Sequence, residues 1–213
     1  WFGRTVIHSD RRFAYEDAQV RLETGEGDLA DELALMFKLA TKLRENRFEN
    51  GGIDFNTEEV RFELDESGKP LRVVIKRMRE SNKLIEDFML LANVRVARFL
   101  AKVHPEKKTP TRTSIYRVHD NPDPEKLQAL RVFVRRFGHE LPKPQKGNAE
   151  ALIRDLLKAT AGTPEEGTVK TMAIRSMAKA EYSSTNIGHY GLSFPYYTHF
   201  TSPIRRYPDV IVH

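Results

Sequence analysis

The segment from about Ser81 to Val103 carries the longest regular hydrophobic pattern in this chain. Its apolar residues recur at helical spacing, so they line one face of a predicted amphipathic helix. These residues are Leu84, Ile85, Phe88, Met89, Ala92, Val96, Phe99 and Leu100. A helix of this length with one apolar face indicates a globular chain in which other elements cover that face.

Other helical patterns and a hairpin pattern accompany this segment. A helix is predicted from Leu29 to Arg47 because apolar residues recur there at helical spacing, and Asn50-Gly51-Gly52 is the stop signal that ends it. Apolar residues alternate on both sides of the turn Asp65–Pro70, which predicts a β-hairpin. Further helices are predicted near residues 123–137, 149–159 and 164–179, and a short strand near 114–118. With no repeat or linker visible, we predict an α+β fold over residues 1–213, a hairpin or sheet packed against several helices in a single domain.

The composition restricts the classes of function. The chain has 35 Lys and Arg against 30 Asp and Glu, a net charge of +5, and a pI near 9.4. This balance permits a polyanionic partner without proving one. The absence of cysteine excludes disulfide scaffolds, thiolate metal sites and a cysteine nucleophile, and it suits a reducing compartment such as the cytoplasm. No apolar run approaches the roughly 18 residues that span a bilayer, so no membrane partner is expected.

The stretch from His189 to Asp209 is rich in aromatic residues and contains the pair Arg205 and Arg206. Ser202 followed by Pro203 predicts a helix N-cap and first helical position. A helix N-terminus beside arginines can bind phosphate. Pro208 would interrupt such a helix, so we expect a kink or a restart there. The alternative interpretation is a loop whose aromatic side chains only fill the core.

This stretch also carries a resemblance to a known family. The residues His189-Tyr190-Gly191-Leu192 and Thr201-Ser202-Pro203-Ile204-Arg205-Arg206-Tyr207-Pro208-Asp209 resemble the signature of the ribonuclease II/ribonuclease R family, in its RNB catalytic domain. Further matches follow the family's order: Val6-Ile7-His8-Ser9, Gly51-Gly52-Ile53-Asp54-Phe55, Leu84 to Asn93, and Arg117-Val118-His119-Asp120. The resemblance covers essentially the whole chain and is closer to ribonuclease R.

The resemblance implies a processive 3′→5′ exoribonuclease that hydrolyses single-stranded RNA to 5′-mononucleotides with Mg²⁺. The family binds this ion with an aspartate cluster spaced D-x5-D-x-D-D, and no acidic stretch of this sequence has that spacing. In the family the cluster precedes the segment matched by Val6-Ile7-His8-Ser9. We therefore expect the metal ligands upstream of Trp1, no metal ligand in this chain, and no activity from this C-terminal part of the domain alone.

The resemblance also assigns residues to the reaction at the scissile phosphate. Arg205 matches the arginine that the family places on this phosphate, which makes it the candidate catalytic residue. Arg206 is its basic neighbour and is predicted to bind RNA. The alternative for Arg206 is a solvated or phosphate-positioning charge.

Three further residues match positions that hold the RNA 3′ end. Phe55 matches an aromatic that stacks on the terminal bases, and its alternative is a core residue of the hairpin. Glu86 and Tyr15 match the pair that holds the terminal ribose, where a 2′-hydroxyl distinguishes RNA from DNA. Glu86 could instead be a charge favoured by the dipole of an early helical turn, and the adjacent Asp87 leaves the assignment ambiguous by one residue.

A function of another class also fits the sequence. Without the aspartate cluster, the chain could be an RNA-binding RNB-like module with no catalysis. The histidines show no metal-ligand spacing, and we predict that His119 and His199 are structural or line the RNA channel.

Overall fold

The computed structural model describes residues 3–53, 59–76, 78–102, 114–143 and 149–213. The chain divides into two compact units. The first comprises Trp1–Lys42 and Glu58–Asp87, and the second comprises Leu43–Thr57 and Phe88–His213. The prediction that residues 1–213 belong to one domain stays a prediction.

The first unit contains helix α1 (Tyr15–Thr24), the start of helix α2 (Ala30–Glu49) and the start of helix α3 (Glu80–Leu100). Helix α1 ends at Gly25, whose φ of 71° lies in the left-handed region that glycine adopts without strain. The side chain of Gln19 is buried, and its Oε1 accepts a hydrogen bond of 2.9 Å from the backbone N–H of Ser81. This bond links α1 to the first turn of α3.

The predicted hairpin is confirmed as strands β1 (Glu59–Leu64) and β2 (Pro70–Lys76), which pair antiparallel. Asp65 organises the turn, because its Oδ1 accepts the backbone N–H groups of Ser67 and Lys69 at 2.9 Å each. Phe62 lies opposite Val73 on one face of the hairpin. The apolar side chains of this face, Val60, Phe62, Leu64, Leu71 and Val73, are each more than half exposed.

The second unit is built mainly from helices. It contains α4 (Pro124–Arg135), α5 (Ala149–Ala159), α6 (Glu166–Ser176) and the short α7 (Tyr207–Val212). Its core lies where the apolar faces of α4, α5 and α6 meet. The fully buried members of this core are Leu130, Val134, Ile153, Val169 and Ala173.

Helix α4 begins as its sequence predicts. Asp123 is the N-cap, and its carboxylate accepts the backbone N–H of Glu125 at 2.9 Å. Pro124 occupies the first turn, where its missing N–H costs nothing.

Two short strands complete the second unit. Strand β3 (Tyr116–Val118) pairs antiparallel with β4 (Glu181–Ser183), so that Arg117 lies opposite Tyr182. Together with the hairpin and the helices, they confirm the predicted mixed α+β class. None of the helices within the described ranges combines the length and the apolar character needed to cross a bilayer.

Candidate functional site

The aromatic segment after β4 is anchored to helix α3 by one buried amide. Asn93 is 2% exposed; its Nδ2 donates to the Tyr197 hydroxyl at 3.3 Å, and its Oδ1 accepts the backbone N–H of Phe200 at 3.0 Å. Tyr197 is itself 5% exposed and packs with Leu90 and Val94 of α3. The side chain of Asn93 therefore fixes both ends of the segment from Tyr197 to Phe200.

The same segment is also bonded to strand β3. The backbone N–H of Arg117 donates to the carbonyl of Tyr197 at 2.9 Å. Thr198 is almost fully buried, and its hydroxyl donates to the carbonyl of Ile115 at 2.5 Å. These bonds hold an irregular backbone in a defined position, which satisfies its buried polar groups.

His119 uses both of its ring nitrogens within the fold. Its Nδ1 accepts the backbone N–H of Gly191 at 3.1 Å, so the ring proton lies on Nε2, which donates to the carbonyl of Ala178 at 3.0 Å. Burial lowers the pKa of His119. A Cβ at position 191 would lie 3.0 Å from this Nδ1, which explains why glycine suits the position. His119 is therefore a structural group, as predicted.

His189 lies between two aromatic rings. Its ring centroid is 5.0 Å from that of His119 and 5.2 Å from that of Tyr197, both in edge-to-face geometry. Burial, helped by the nearby His119, lowers the pKa of His189 to about 3. The ring is therefore neutral at physiological pH.

The pKa of His199 depends on the charges of both Arg205 and Arg206. Burial, together with the charges of Arg206, Arg117 and Arg205 and against that of Asp209, lowers the pKa of His199 to about 4. Its Nδ1 is 2.7 Å from the hydroxyl of Tyr182, and the guanidinium of Arg117 lies 4.7 Å from the Tyr182 ring centroid. The charged side chains that act on His199 are thus the three arginines and, in the opposite direction, Asp209.

The turn that carries the arginine pair differs from the prediction at Ser202. No helix starts there: residues 203–205 form a turn in which the carbonyl of Ser202 accepts the backbone N–H groups of Arg205 at 3.3 Å and Arg206 at 3.1 Å. A helix running from Pro203 would place Pro208 in its interior, where the ring removes one hydrogen bond and clashes with the preceding turn. The predicted restart is confirmed, because α7 begins at Tyr207 with Pro208 in its first turn. The predicted phosphate site at a helix N-terminus on Ser202 is therefore wrong.

Asp209 is fully buried and closes this turn. Its Oδ2 accepts Arg206 Nε at 2.8 Å, and its Oδ1 accepts both Arg206 Nη2 and the backbone N–H of Ser202 at 2.7 Å. Burial alone would raise the pKa of Asp209, but these hydrogen bonds to the charged form hold it below its usual value. Arg206, predicted to bind RNA, thus has its guanidinium directed at a carboxylate of the following helix α7.

Arg205, unlike Arg206, is not paired with a carboxylate of the described residues. Its side chain is exposed and makes no hydrogen bond or ion pair with any residue that the structure describes. The backbone beneath it is fixed by the Ser202 carbonyl. A free guanidinium on a fixed turn is suited to an anionic ligand.

The other predicted residues lie elsewhere in the chain. Tyr15 is the first residue of α1 and is 47% exposed, and Glu86 is half-buried on α3. The adjacent Asp87 is only 4% exposed, which favours Glu86 as the accessible carboxylate of the two. Tyr15 and Glu86 both belong to the first unit, whereas Arg205 and Arg206 belong to the second. Phe55 lies outside the described residues.

The described residues do not fit a magnesium site. Within the described ranges, no group of three or more His, Asp or Glu side chains is arranged to hold a metal ion. The acidic side chain at the arginine turn, Asp209, is committed to Arg206.

The match to known proteins decides the family. Residues 1–213 match the family model described as the RNB domain. The chain belongs to the RNB-domain family.

Curated relatives of this RNB chain carry the name ribonuclease R. The protein of Escherichia coli (strain K12) is 38% identical over 222 residues, which cover 100% of this chain and 26% of that protein. The protein of Aquifex aeolicus (strain VF5) is 35% identical over 216 residues, covering 98% of this chain and 29% of that protein. The chain thus spans less than a third of the length of either relative.

A solved RNB structure shares the fold. RNase R of Mycoplasma genitalium, in complex with ribose methylated single-stranded RNA, superposes with a TM-score of 0.80 at 28% identity. The superposition covers 95% of this chain and 31% of that chain.

Sequence reasoning identified the RNB signature but missed the roles of several residues within it. Asn93 and Asp209 both stand in the recognised motifs, yet their partners could not be read from the motifs. A polar residue inside an otherwise apolar helical face, such as Asn93, is the signal that could have indicated a buried hydrogen bond.

Proposed function

We propose that the full-length protein containing this chain is a 3′→5′ exoribonuclease that hydrolyses single-stranded RNA processively to 5′-mononucleotides. The family membership and the relatives named ribonuclease R support this proposal. The observation that carries it is the exposed Arg205, held without a protein partner among the described residues on the turn that follows Ser202.

Arg205 is proposed to bind the scissile phosphate. A guanidinium presents several N–H donors in one plane, which matches two phosphate oxygens at once. Negative charge on these oxygens grows as the phosphorus–oxygen bond is attacked. A guanidinium bound to these oxygens would therefore stabilise the transition state more strongly than it stabilises the bound substrate.

The surroundings of Arg205 support an anionic ligand. Arg117 and Arg205 both lower the pKa of His199, which shows that their charges act on the same region. The carboxylate of Asp209 is bonded to Arg206 and to the backbone N–H of Ser202, and so it does not pair with Arg205. Arginine side chains whose charges act on one region favour an anionic partner such as RNA.

Contacts to the RNA 3′ end are proposed for three other residues. Glu86 and Tyr15 would accept from and donate to the hydroxyls of the terminal ribose, which would favour RNA over DNA. Phe55 would stack on the terminal bases, a contact worth about 1–3 kcal/mol per base that tolerates any base. The named complex of the Mycoplasma genitalium protein with single-stranded RNA supports this class of partner.

We propose Mg²⁺ as the cofactor and the cytoplasm as the location. Phosphodiester hydrolysis in this family is expected to use a divalent ion bound by carboxylates. The described residues do not supply that donor set, so the steps assigned to them are limited to binding and orienting the RNA. The absence of cysteine supports a reducing compartment.

The proposal is tested by Arg205→Ala in the full-length protein. We expect turnover of a single-stranded RNA oligonucleotide to fall by about two to three powers of ten, as for the loss of one preorganised donor to developing charge. RNA binding without divalent ions should weaken only modestly, because many phosphates contribute to it. The exposed Arg135→Gln on α4 serves as the control and should behave like the wild type.

Two results would count against the proposal. Unchanged turnover in Arg205→Ala would remove Arg205 from the active site. A wild-type protein that binds RNA but releases no mononucleotides at any Mg²⁺ concentration would instead support a non-catalytic RNA-binding module.

A further inference from the structure

The ion pair between Arg206 and Asp209 is the most enclosed charged contact of the arginine turn. The Asp209 side chain is 0% exposed and that of Arg206 is 18% exposed. The pair is bidentate, with Arg206 Nε 2.8 Å from Asp209 Oδ2 and Arg206 Nη2 2.7 Å from Asp209 Oδ1. A buried carboxylate of this kind needs its partner, because an unpaired charge in this position is costly.

This geometry leaves Arg206 poorly placed to bind a phosphate. The edge of a guanidinium formed by Nε and one Nη is a matched fork for an oxyanion, and here Asp209 occupies it. The Asp209 charge also offsets the Arg206 charge at close range. Arg205, one residue earlier, has neither an ion pair nor a hydrogen bond from its side chain to the described residues.

The same carboxylate fixes the backbone of the turn at its other end. Asp209 Oδ1 accepts the N–H of Ser202, while the Ser202 carbonyl accepts the N–H groups of Arg205 and Arg206. Residues 202, 206 and 209 thus form a closed set of hydrogen bonds, and Arg205 projects from inside it.

We infer that Arg206 and Asp209 are positioning residues that hold the turn presenting Arg205, and that Arg206 is not itself an RNA ligand. This inference rests on the proposed role of Arg205 and replaces the RNA-binding role predicted for Arg206. Its physical basis is that catalysis by a fixed donor is sensitive to displacement. A shift of about 1 Å in a positioned group can lower the rate by about a hundredfold.

The test compares Arg206→Lys, Arg206→Gln and Asp209→Asn in the full-length protein. Lysine keeps the positive charge but loses the two-pronged bond to Asp209. If Arg206 acts through Asp209, Arg206→Lys and Arg206→Gln should both lower kcat, by about 10- to 100-fold. The KM for single-stranded RNA should change much less, and Asp209→Asn should resemble them.

The double variant Arg206→Gln/Asp209→Asn sharpens the test. Both changes break the same ion pair, so their effects on kcat should not add. We expect the kcat of the double variant to be no lower than that of the less active single variant. Full kcat in Arg206→Lys, or additive losses in the double variant, would overturn the inference. Arg135→Gln is the matched control for loss of an exposed arginine charge.

Failure of the proposed function can be told apart from failure of this inference. Unchanged turnover in Arg205→Ala would overturn the role of Arg205, whatever the Arg206 variants do. If Arg205→Ala is slow but Arg206→Lys is fully active, the proposed function stands and the positioning role fails. Should Asp209→Asn not fold, the comparison of Arg206→Lys with Arg206→Gln still decides the matter, because both keep the Asp209 carboxylate.

Discussion

At the scale of single residues, burial sets the charge of the histidines around the aromatic segment. The pKa of His189 is lowered to about 3 and that of His199 to about 4, in both cases mainly by burial. Both values lie below the ordinary 6.5 of histidine. The folded protein therefore binds fewer protons than the unfolded chain over the range between them.

This difference predicts acid sensitivity with a definite sign. A lowered folded pKa means that the stabilising effect is fully present above about pH 6.5 and is lost as the pH falls toward 4. The free energy of unfolding should therefore decrease from pH 6.5 to 5, before most carboxylates titrate. We expect His199→Gln to reduce this slope in urea titrations. His8 is largely exposed, so His8→Gln should leave the slope unchanged. A slope in His199→Gln equal to that of the wild type would contradict the assignment.

Residue-scale contacts were only partly predictable from the sequence. The Asp123 cap was predictable, because the donor, the backbone N–H of Glu125, lies only two residues from the accepting carboxylate. The hydrogen bonds of Asn93 were not predictable, because its partners lie 104 and 107 positions away in the sequence. The Ser202 cap was predicted wrongly, although Pro208 in the same segment already indicated a kink or a restart of the helix.

At the scale of elements, helix α4 contributes to the stability of the fold through one buried face. Leu127, Leu130 and Val134 on this face are buried, whereas Val132 on the opposite face is 51% exposed. Such periodic elements were predictable, since the apolar period of a helix or hairpin is visible in the sequence. The pairing of β3 with β4 was not, because a three-residue strand carries too little pattern to identify its partner.

The two faces of α4 give a paired prediction. Leu130→Ala should lower the free energy of unfolding by about 3 kcal/mol, because it leaves a cavity in the core formed with α5 and α6. Val132→Ala on the same helix should change it by less than about 0.5 kcal/mol. Chemical denaturation of both variants checks this, and similar losses in the two would contradict the described packing.

At the scale of the whole molecule, the residues proposed to contact RNA are divided between the two compact units. The proposed ribose contacts, Tyr15 and Glu86, belong to the first unit, and Arg205 belongs to the second. A change in the ribose contacts should therefore alter the preference between RNA and DNA without the loss of turnover expected for Arg205→Ala.

This separation gives a prediction for substrate preference. Glu86→Ala or Tyr15→Phe in the full-length protein should narrow the ratio of kcat/KM between RNA and DNA oligonucleotides by about tenfold, the equivalent of one hydrogen bond to the 2′-hydroxyl. Glu16→Gln, an exposed neighbour of Tyr15 on α1, is the control. If the ratio is unaffected in both variants, the ribose assignment fails.

The single tautomer of His119 has a spectroscopic consequence. Its Nε2 proton is bonded to the Ala178 carbonyl, and its Nδ1 accepts the N–H of Gly191. A ring proton held in this way exchanges slowly with water and is observable by NMR as a separate downfield resonance. That one signal reports whether strand β3, the residues that follow α6 and the aromatic segment are assembled, in solution and without RNA.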